Sequence, residues 1–240
     1  MEWRDEGLVI GLKRHGETSV ILELMTRNHG RHLGIVRGGR SRRMQPLLQP
    51  GNFVEAVWRA RIDEHLGMYA IEATDLHASR LMASPLALHG INHMGALLRL
   101  MAERDSHPAL YETVKLIVEH LDEMRIAPAL LVRFELAILT ELGFGLDLSV
   151  CAATGKSEDL VYVSPKSGRA VCREAGLPWH DRLLKLPDFL SQARAVDNAP
   201  DAEGLCQGFD LTGYFLERDV FAPRGLKFPE SRRALLALLR

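Results

Sequence analysis

The chain has 240 residues, of which 47% are hydrophobic and 25% are charged, and its formal net charge at pH 7 is −1. That length can bury an ordinary hydrophobic core in one large domain or two modest ones, which indicates a globular protein. No apolar run approaches the roughly 20 residues that a membrane-spanning helix requires, so we expect no membrane association.

Two features of the chain predict a cytoplasmic location. The segment Met1–Glu6 lacks the basic start and the apolar stretch of a secretory signal peptide. The three cysteines are odd in number and far apart, which argues against a disulfide framework and fits a reducing compartment.

Residues 1–79 contain five short runs rich in Val, Ile and Leu, each of strand length. These predicted strands are Leu8–Leu12, Val20–Met25, His32–Val36, Phe53–Ala60 and Leu66–Ala73. The tripeptide Asn28-His29-Gly30 predicts a hairpin turn between the second and third strands. Five strands in about seventy residues predict a small closed barrel of the oligonucleotide-binding (OB) type.

Residues 80–240 change to a mainly helical pattern, so the predicted fold class is α+β. The predicted helices are Pro85–Glu103, one that begins at Pro108, one from about Pro128 to Leu142, one from about Leu205 to Asp219, and a short one from Pro229 to Arg240. Within this domain, a Pro/Gly turn between Leu160–Val163 and Ala170–Cys172 predicts a small β-hairpin insertion at about residues 149–176.

A local excess of positive charge lies between Arg27 and Arg61. This window contains eight arginines, no lysine and one acid, Glu55, so it carries +7 in a chain whose total charge is −1. Such clustering produces a strong positive potential on one patch, which is what a polyanion-binding site needs.

The centre of this window is the run Arg37–Arg43, which reads Arg-Gly-Gly-Arg-Ser-Arg-Arg and joins the third and fourth predicted strands. Arginine presents a planar fork of donors to phosphate and stacks on exposed bases, and loops between strands of such barrels bind nucleic acid. We therefore predict a DNA-contact surface. Its predicted residues are Arg37, Arg40, Arg42 and Arg43, with support from Arg27, Arg31, Arg59 and Arg61.

Two other interpretations of this run stay open. It is either a solvated basic loop without a function, or the surface of a protein-interaction adaptor that docks an acidic partner instead of DNA. A measurement of DNA affinity against salt concentration would distinguish our prediction from the adaptor. If several phosphates are contacted, the logarithm of the affinity should fall linearly with the logarithm of the salt concentration.

The cysteines resemble an incomplete metal site. Cys151 and Cys172 each begin a stretch that looks like a Cys-x-x-Cys knuckle without its second cysteine. A structural zinc ion takes four ligands, and His180 and Cys206 lack knuckle spacing, so we expect a metal-free hairpin in which the two cysteines are remnants of a zinc site.

The remaining candidates for chemistry are weak. His89 and His93 are four residues apart on a predicted helix, but the sequence between them lacks the glutamate of a zinc-protease motif. No nucleophile-elbow motif occurs, so we expect neither enzymatic activity nor a cofactor, and an enzyme with a metal at the histidines or cysteines is the second rival. Arg133, beside Phe134 and Glu135, is either an ordinary intrahelical partner or a cation that lines a groove, and spacing alone favours the former.

Several short motifs in order along the chain resemble the bacterial recombination mediator family RecO. They are Glu17-Thr18-Ser19, Arg37-Gly38-Gly39-Arg40-Ser41, Leu47-Leu48-Gln49-Pro50-Gly51, Arg133-Phe134-Glu135-Leu136 and Leu142-Gly143-Phe144-Gly145. The resemblance runs from about residue 2 to the final helix, and it includes the hairpin with Val163-Ser164-Pro165.

The resemblance implies an OB-fold domain followed by a helical domain. It implies binding of single- and double-stranded DNA, annealing of complementary strands and, with RecR, loading of RecA onto strands coated by single-stranded DNA-binding protein (SSB). The acidic, phenylalanine-ended tail of SSB docks on the helical domain in that family, and Arg133 matches a basic position at that site. Zinc-bearing members have four cysteines in the hairpin, whereas this chain keeps only Cys151 and Cys172.

Overall fold

A computed structural model describes residues 1–62, 64–191 and 200–239 of the chain. It divides the chain into two compact units, Met1–Asp122 and Glu123–Arg240. Arg240, the predicted end of the last helix, lies outside the described residues. No helix in the described ranges has the length and apolar character needed to cross a membrane.

The first unit is built on a closed five-stranded barrel. Its strands are β1 (Glu2–His15), β2 (Ser19–Thr26), β3 (Gly30–Val36), β4 (Phe53–Arg59) and β5 (Met68–Asp75). The strand order is β1-β2-β3-β5-β4, and the contact between β3 and β5 is parallel while the other pairs are antiparallel. The predicted OB-type barrel is therefore confirmed.

The barrel core follows from the alternation of side chains along each strand. On β4, Val54, Ala56 and Trp58 are fully buried, as the alternation predicts, while Arg59 is exposed. Phe53 departs from the pattern and is also fully buried. Its ring meets that of Tyr111 edge to face at 6.2 Å, because helices cover this side of the barrel.

β1 is longer than predicted, since it begins at Glu2 rather than at Leu8. The added residues are mostly polar and carry no hydrophobic alternation. They pair with β4 in the register Glu2↔Arg59. The buried Asp5 carboxylate accepts hydrogen bonds from the backbone N–H and the side-chain amide of Asn28, at 2.8 and 2.9 Å. These bonds compensate for the cost of placing a carboxylate inside the barrel.

Three helices complete the first unit: α1 (Ala78–Ala83), α2 (Pro85–Leu98) and α3 (Pro108–Glu119). The Ser84 hydroxyl caps α2 by accepting from the N–H of Ala87, as expected of a Ser-Pro start. α2 ends five residues before the predicted Glu103. The six-residue α1 was not predicted, because so short a segment carries no helical period.

The second unit is mainly helical and contains the predicted hairpin. Its helices and strands are α4 (Ala127–Glu141), β6 (Leu160–Val163), β7 (Ala170–Cys172), α5 (Arg173–Gly176), β8 (Leu184–Lys185), α6 (Ala202–Phe215) and α7 (Glu230–Ala237). β8 adds an unpredicted third strand in the order β7-β6-β8. The fourth predicted helix is confirmed as α6, which continues as a π-helical segment, Leu216–Phe221.

A buried ion pair joins α4 to α7 inside this unit. The Glu135 carboxylate is fully buried and accepts two hydrogen bonds from the guanidinium of Arg232, at 2.8 and 3.1 Å. The hydroxyl of Thr212 also donates to Glu135, and Arg232 donates to the carbonyl of Phe209 at 2.7 Å. The pair is therefore well satisfied, which a buried charge requires. The partners of the Glu135 carboxylate thus include Arg232 and Thr212.

Candidate nucleic-acid interface

The arginine run between β3 and β4 is folded onto the barrel. Gly38 has φ +65°, in the left-handed region that favours glycine, and a Cβ on Gly39 would lie 2.6 Å from a methyl group of Val20. The N–H of Arg40 donates to the carbonyl of Thr18 at 3.0 Å. Further along, Leu48 is buried in the barrel core. The glycines thus fit the loop closely against β2, so the arginine backbone has a defined position.

The side chains of this loop face solvent. Arg37, Arg40, Arg42 and Arg43 are all exposed. The Arg40 guanidinium donates to the backbone carbonyl of Glu17. Because this acceptor is neutral, the positive charge of Arg40 is not cancelled by the bond. Among the residues that the structure describes, no carboxylate pairs with Arg37, Arg42 or Arg43.

Strand register places two further basic residues at the end of the barrel where β3 stops. Arg14 of β1 pairs with Val20 of β2, which in turn pairs with Val36, the last residue of β3. Two strand spacings separate Arg14 from Val36, which amounts to roughly 10 Å. Arg14 and its neighbour Lys13 are exposed. They therefore extend the positively charged surface from the loop after β3 across β2 to the end of β1.

Arg59 and Arg61 lie on the other side of the same end of the barrel. Arg59 pairs in register with Met68 of β5, which pairs with Ile35 near the end of β3. The Arg59 guanidinium donates to the Glu2 carboxylate at 2.9 Å, and this hydrogen bond raises the pKa of Arg59 and lowers that of Glu2. Arg61 is exposed. We call this end of the barrel the basic rim. Its members are Lys13, Arg14, Arg37, Arg40, Arg42, Arg43, Arg59 and Arg61.

Arg27 and Arg31 lie outside the basic rim. Arg31 is five residues before Val36 on β3, roughly 17 Å along the strand. Its guanidinium donates to the Glu23 carboxylate at 2.7 Å and to the carbonyl of Met101 at 3.1 Å. Glu23 also accepts from Arg99 at 2.6 Å, so Arg31 belongs to a network that ties the barrel to the end of α2.

Arg27 is half exposed and pairs with Glu112 of α3. Sequence reasoning grouped Arg27 and Arg31 with the loop because the positions are close along the chain. It did not single out Lys13 and Arg14, because strand pairing alone brings them to the rim. The sequence signal that was available for them is weak: two adjacent basic residues, Lys13 and Arg14, shortly before Gly16.

Arg133 lies on the exposed side of α4, and its guanidinium donates to the carbonyl of Phe189. Phe189 lines a cavity of about 570 Å³ within the second unit. Apolar and cationic groups of this cavity include Tyr162, Pro187 and Lys185. Its lining also carries three carboxylates, from Asp188, Asp201 and Glu203.

The two hairpin cysteines are brought together by the fold. Their sulfur atoms are 3.5 Å apart, both are buried, and the N–H of Cys172 donates to the sulfur of Cys151 at 3.2 Å. Burial raises the pKa of the Cys151 thiol. Hydrogen bonds from the Thr154 hydroxyl and from the backbone N–H groups of Cys172, Ala153 and Thr154 outweigh burial and lower this pKa to about 6.

The described cysteines and histidines that were considered as metal ligands do not lie near enough further ligands to form a metal site. Across residues 1–62, 64–191 and 200–239, no group of three His, Cys, Asp or Glu side chains is placed to hold a metal ion. His93 is buried in α2 and His89 is partly buried.

Comparison with known proteins gives matches over nearly the whole chain. Two family models match in succession, recombination protein O N terminal over residues 1–79 and recombination protein O C terminal over residues 83–227. A protein named DNA repair protein RecO from Methylobacterium nodulans is 62% identical over 240 residues, which cover 99% of this chain and 98% of the relative. The protein of the same name from Methylorubrum populi is 62% identical, over 99% of this chain and 98% of the relative. The one from Mesorhizobium japonicum is 57% identical, over 100% of this chain and 94% of the relative.

Proposed function

Because the chain belongs to the recombination protein O (RecO) family of DNA repair proteins, we propose that it is a non-enzymatic recombination mediator in the cytoplasm, at the nucleoid. In this role it binds single- and double-stranded DNA, anneals complementary strands and, together with RecR, loads RecA onto SSB-coated single strands.

The observation that carries the DNA-binding proposal is the basic rim. Its loop arginines Arg37, Arg42 and Arg43 are exposed, no carboxylate among the described residues pairs with them, and they stand on a loop whose backbone is held against the barrel. Charges without internal partners are available to phosphates, and their fixed backbone lowers the entropy lost on binding. Arg27 and Arg31 have carboxylate partners, so their proposed share in DNA contact is smaller.

The same rim accounts for annealing without bond chemistry. Two complementary strands repel each other through their phosphates, and a protein that neutralises phosphates on one strand lowers that repulsion. Guanidinium groups also stack on bases without reading sequence, which leaves Watson–Crick edges free to pair. No catalytic group or cofactor is needed for this step.

A pair of charge reversals tests the DNA-binding proposal. The variant Arg42→Glu/Arg43→Glu changes two exposed rim residues, and the matched control Arg125→Glu/Arg233→Glu makes the same charge change at exposed positions of the second unit. We expect the rim variant to lose at least tenfold in affinity for an oligo(dT) strand at 0.1 M salt, while the control changes little. Equal losses in both variants would reject the rim in favour of a nonspecific charge effect, and unchanged binding in both would favour the adaptor interpretation.

For the SSB tail we propose docking on the helical domain through Arg133. An exposed guanidinium beside Phe189 suits a peptide with carboxylates and a terminal aromatic ring. The carboxylates around the adjacent cavity oppose an acidic ligand, so the proposal depends on Arg133 rather than on the cavity charge.

The test of this second site is binding of an SSB tail peptide to Arg133→Glu, with Arg125→Glu as a control from the same unit. We expect the peptide to lose affinity only for Arg133→Glu. Full-strength binding to that variant would remove Arg133 from the site without affecting the proposal for the basic rim.

A further inference from the structure

We propose that Cys151 and Cys172 form an oxidisable dithiol, which hydrogen peroxide converts into an intramolecular disulfide that closes the hairpin of the second unit.

The proposal starts from the distance between the two sulfur atoms. They lie 3.5 Å apart, and a disulfide bond is about 2.05 Å long, so a shift of roughly 1.5 Å brings them to bonding distance. Rotation about the side-chain torsions supplies shifts of this size. Both sulfurs are buried, so they stay opposite each other instead of turning to solvent.

Backbone hydrogen bonds hold the two segments in place. The N–H of Ala152 donates to the carbonyl of Ala170 at 2.8 Å, and the N–H of Cys151 donates to the carbonyl of Lys156 at 2.7 Å. Cys172 ends β7, which pairs with β6. The contact between the sulfurs is therefore a property of the fold.

Metal binding is the other reason for two thiols to lie together, but the neighbouring residues do not supply the further ligands that a metal site needs. Thr154 follows Cys151 at knuckle spacing, and its hydroxyl oxygen lies 3.8 Å from the sulfur of Cys172. Among the described residues no third ligand joins the pair, whereas zinc takes four. Two neighbouring thiols that hold no metal can be joined as a disulfide by a two-electron oxidant.

The N–H of Cys172, which donates to the sulfur of Cys151, favours a thiolate on Cys151 and makes it the attacking group. The thiolate sulfur attacks one oxygen of hydrogen peroxide, the O–O bond breaks, and Cys151 becomes a sulfenic acid with release of hydroxide. The Cys172 sulfur then attacks the Cys151 sulfur, the S–O bond breaks and a second hydroxide leaves. The two thiols lose two electrons and two protons, and the peroxide becomes two water molecules.

The test uses the full-length protein carrying Cys206→Ser, which removes the third cysteine, and compares it with Cys151→Ser/Cys206→Ser. Each protein is treated with hydrogen peroxide, alkylated under denaturing conditions and examined by intact mass and peptide mapping. We expect the first protein to lose two hydrogen atoms, to resist alkylation and to return to two free thiols with dithiothreitol. The disulfide closes the segment between residues 151 and 172, and we expect it to raise Tm by roughly 5 to 10 °C.

Three results would overturn the proposal. The first is two alkylatable thiols after peroxide treatment that fully oxidises a small-molecule dithiol. The second is overoxidation of Cys151 to a sulfinic acid without a disulfide. The third is stoichiometric zinc in the purified protein that must be removed before the thiols react.

Discussion

The arginines of the barrel divide into two groups by their partners. Arg31 shares the Glu23 carboxylate with Arg99, and only 13% of the Glu23 side chain is exposed. Arg37 lies six residues after Arg31, and no carboxylate among the described residues pairs with it. Identical side chains in one window of sequence therefore have different surroundings, and we propose that Arg31 serves stability and Arg37 serves DNA binding.

This division predicts opposite phenotypes for two single substitutions. Arg31→Met leaves Glu23 with one fewer charged donor, and we expect it to lower the free energy of unfolding by about 1–3 kcal/mol. Arg37→Met removes an exposed charge, and we expect a stability change within about 0.5 kcal/mol together with weaker DNA binding. Urea denaturation and oligo(dT) titration of both variants check these outcomes. A stability loss at Arg37 as large as that at Arg31 would contradict the division.

The lowered pKa of Cys151 predicts a pH dependence of stability under reducing conditions. The folded thiol has a pKa of about 6, whereas an unfolded cysteine titrates near 8.5, so between these values the unfolded state binds more protons. The stabilisation is fully present above the unfolded pKa and is lost as pH falls through the folded pKa. We expect the wild-type free energy of unfolding to rise between pH 6 and 8.5, by up to about 1.4 kcal/mol per pH unit, relative to Cys151→Ala.

The control for this pH effect is Cys206→Ala, which removes a cysteine outside the hairpin. It should keep the wild-type slope in the same urea denaturation series. A slope in Cys151→Ala equal to that of the wild type would show that the thiolate does not stabilise the fold.

At the scale of elements, the Glu135–Arg232 pair fixes α7 against α4. We expect Arg232→Met to lower the free energy of unfolding by about 3–5 kcal/mol, because Glu135 remains buried without its guanidinium. The double variant Glu135→Leu/Arg232→Met removes both charges and should recover much of that loss. Denaturant unfolding measures both effects, and the exposed neighbour Arg233→Met serves as the control, with a change within about 0.5 kcal/mol.

Elements with local signals were predictable from sequence, and those that depend on distant pairing were not. β2 and β3 carry apolar residues on both sides of a Gly30 turn, and α3 has a Pro start and an apolar stripe, so their existence followed from the residues. The start of β1 is polar and becomes a strand only because β4 pairs with it. The same limit applied to the candidate site, where the loop arginines were visible but Lys13 and Arg14 required the register.

At the scale of the whole molecule, the distribution of charge matters more than its total. The net charge of −1 gives the protein no general attraction to DNA, and the residues outside the window Arg27–Arg61 are net acidic, so the DNA binding that we propose depends on the local charge of the basic rim. Binding should therefore be local and strongly dependent on salt.

The number of phosphates neutralised can be read from that salt dependence. If the rim contacts five phosphates of a single strand, log affinity should fall with log salt at a slope of about −3.5. Lys13→Ala/Arg14→Ala removes two proposed contacts, and we expect the slope to become less steep by about 1.4, because each neutralised phosphate contributes about 0.7. Arg125→Ala/Arg233→Ala, with both changes at exposed positions of the second unit, should retain the wild-type slope. An unchanged slope in the Lys13/Arg14 variant would remove those two residues from the proposed DNA contact, because strand register is the only observation that places them on the basic rim.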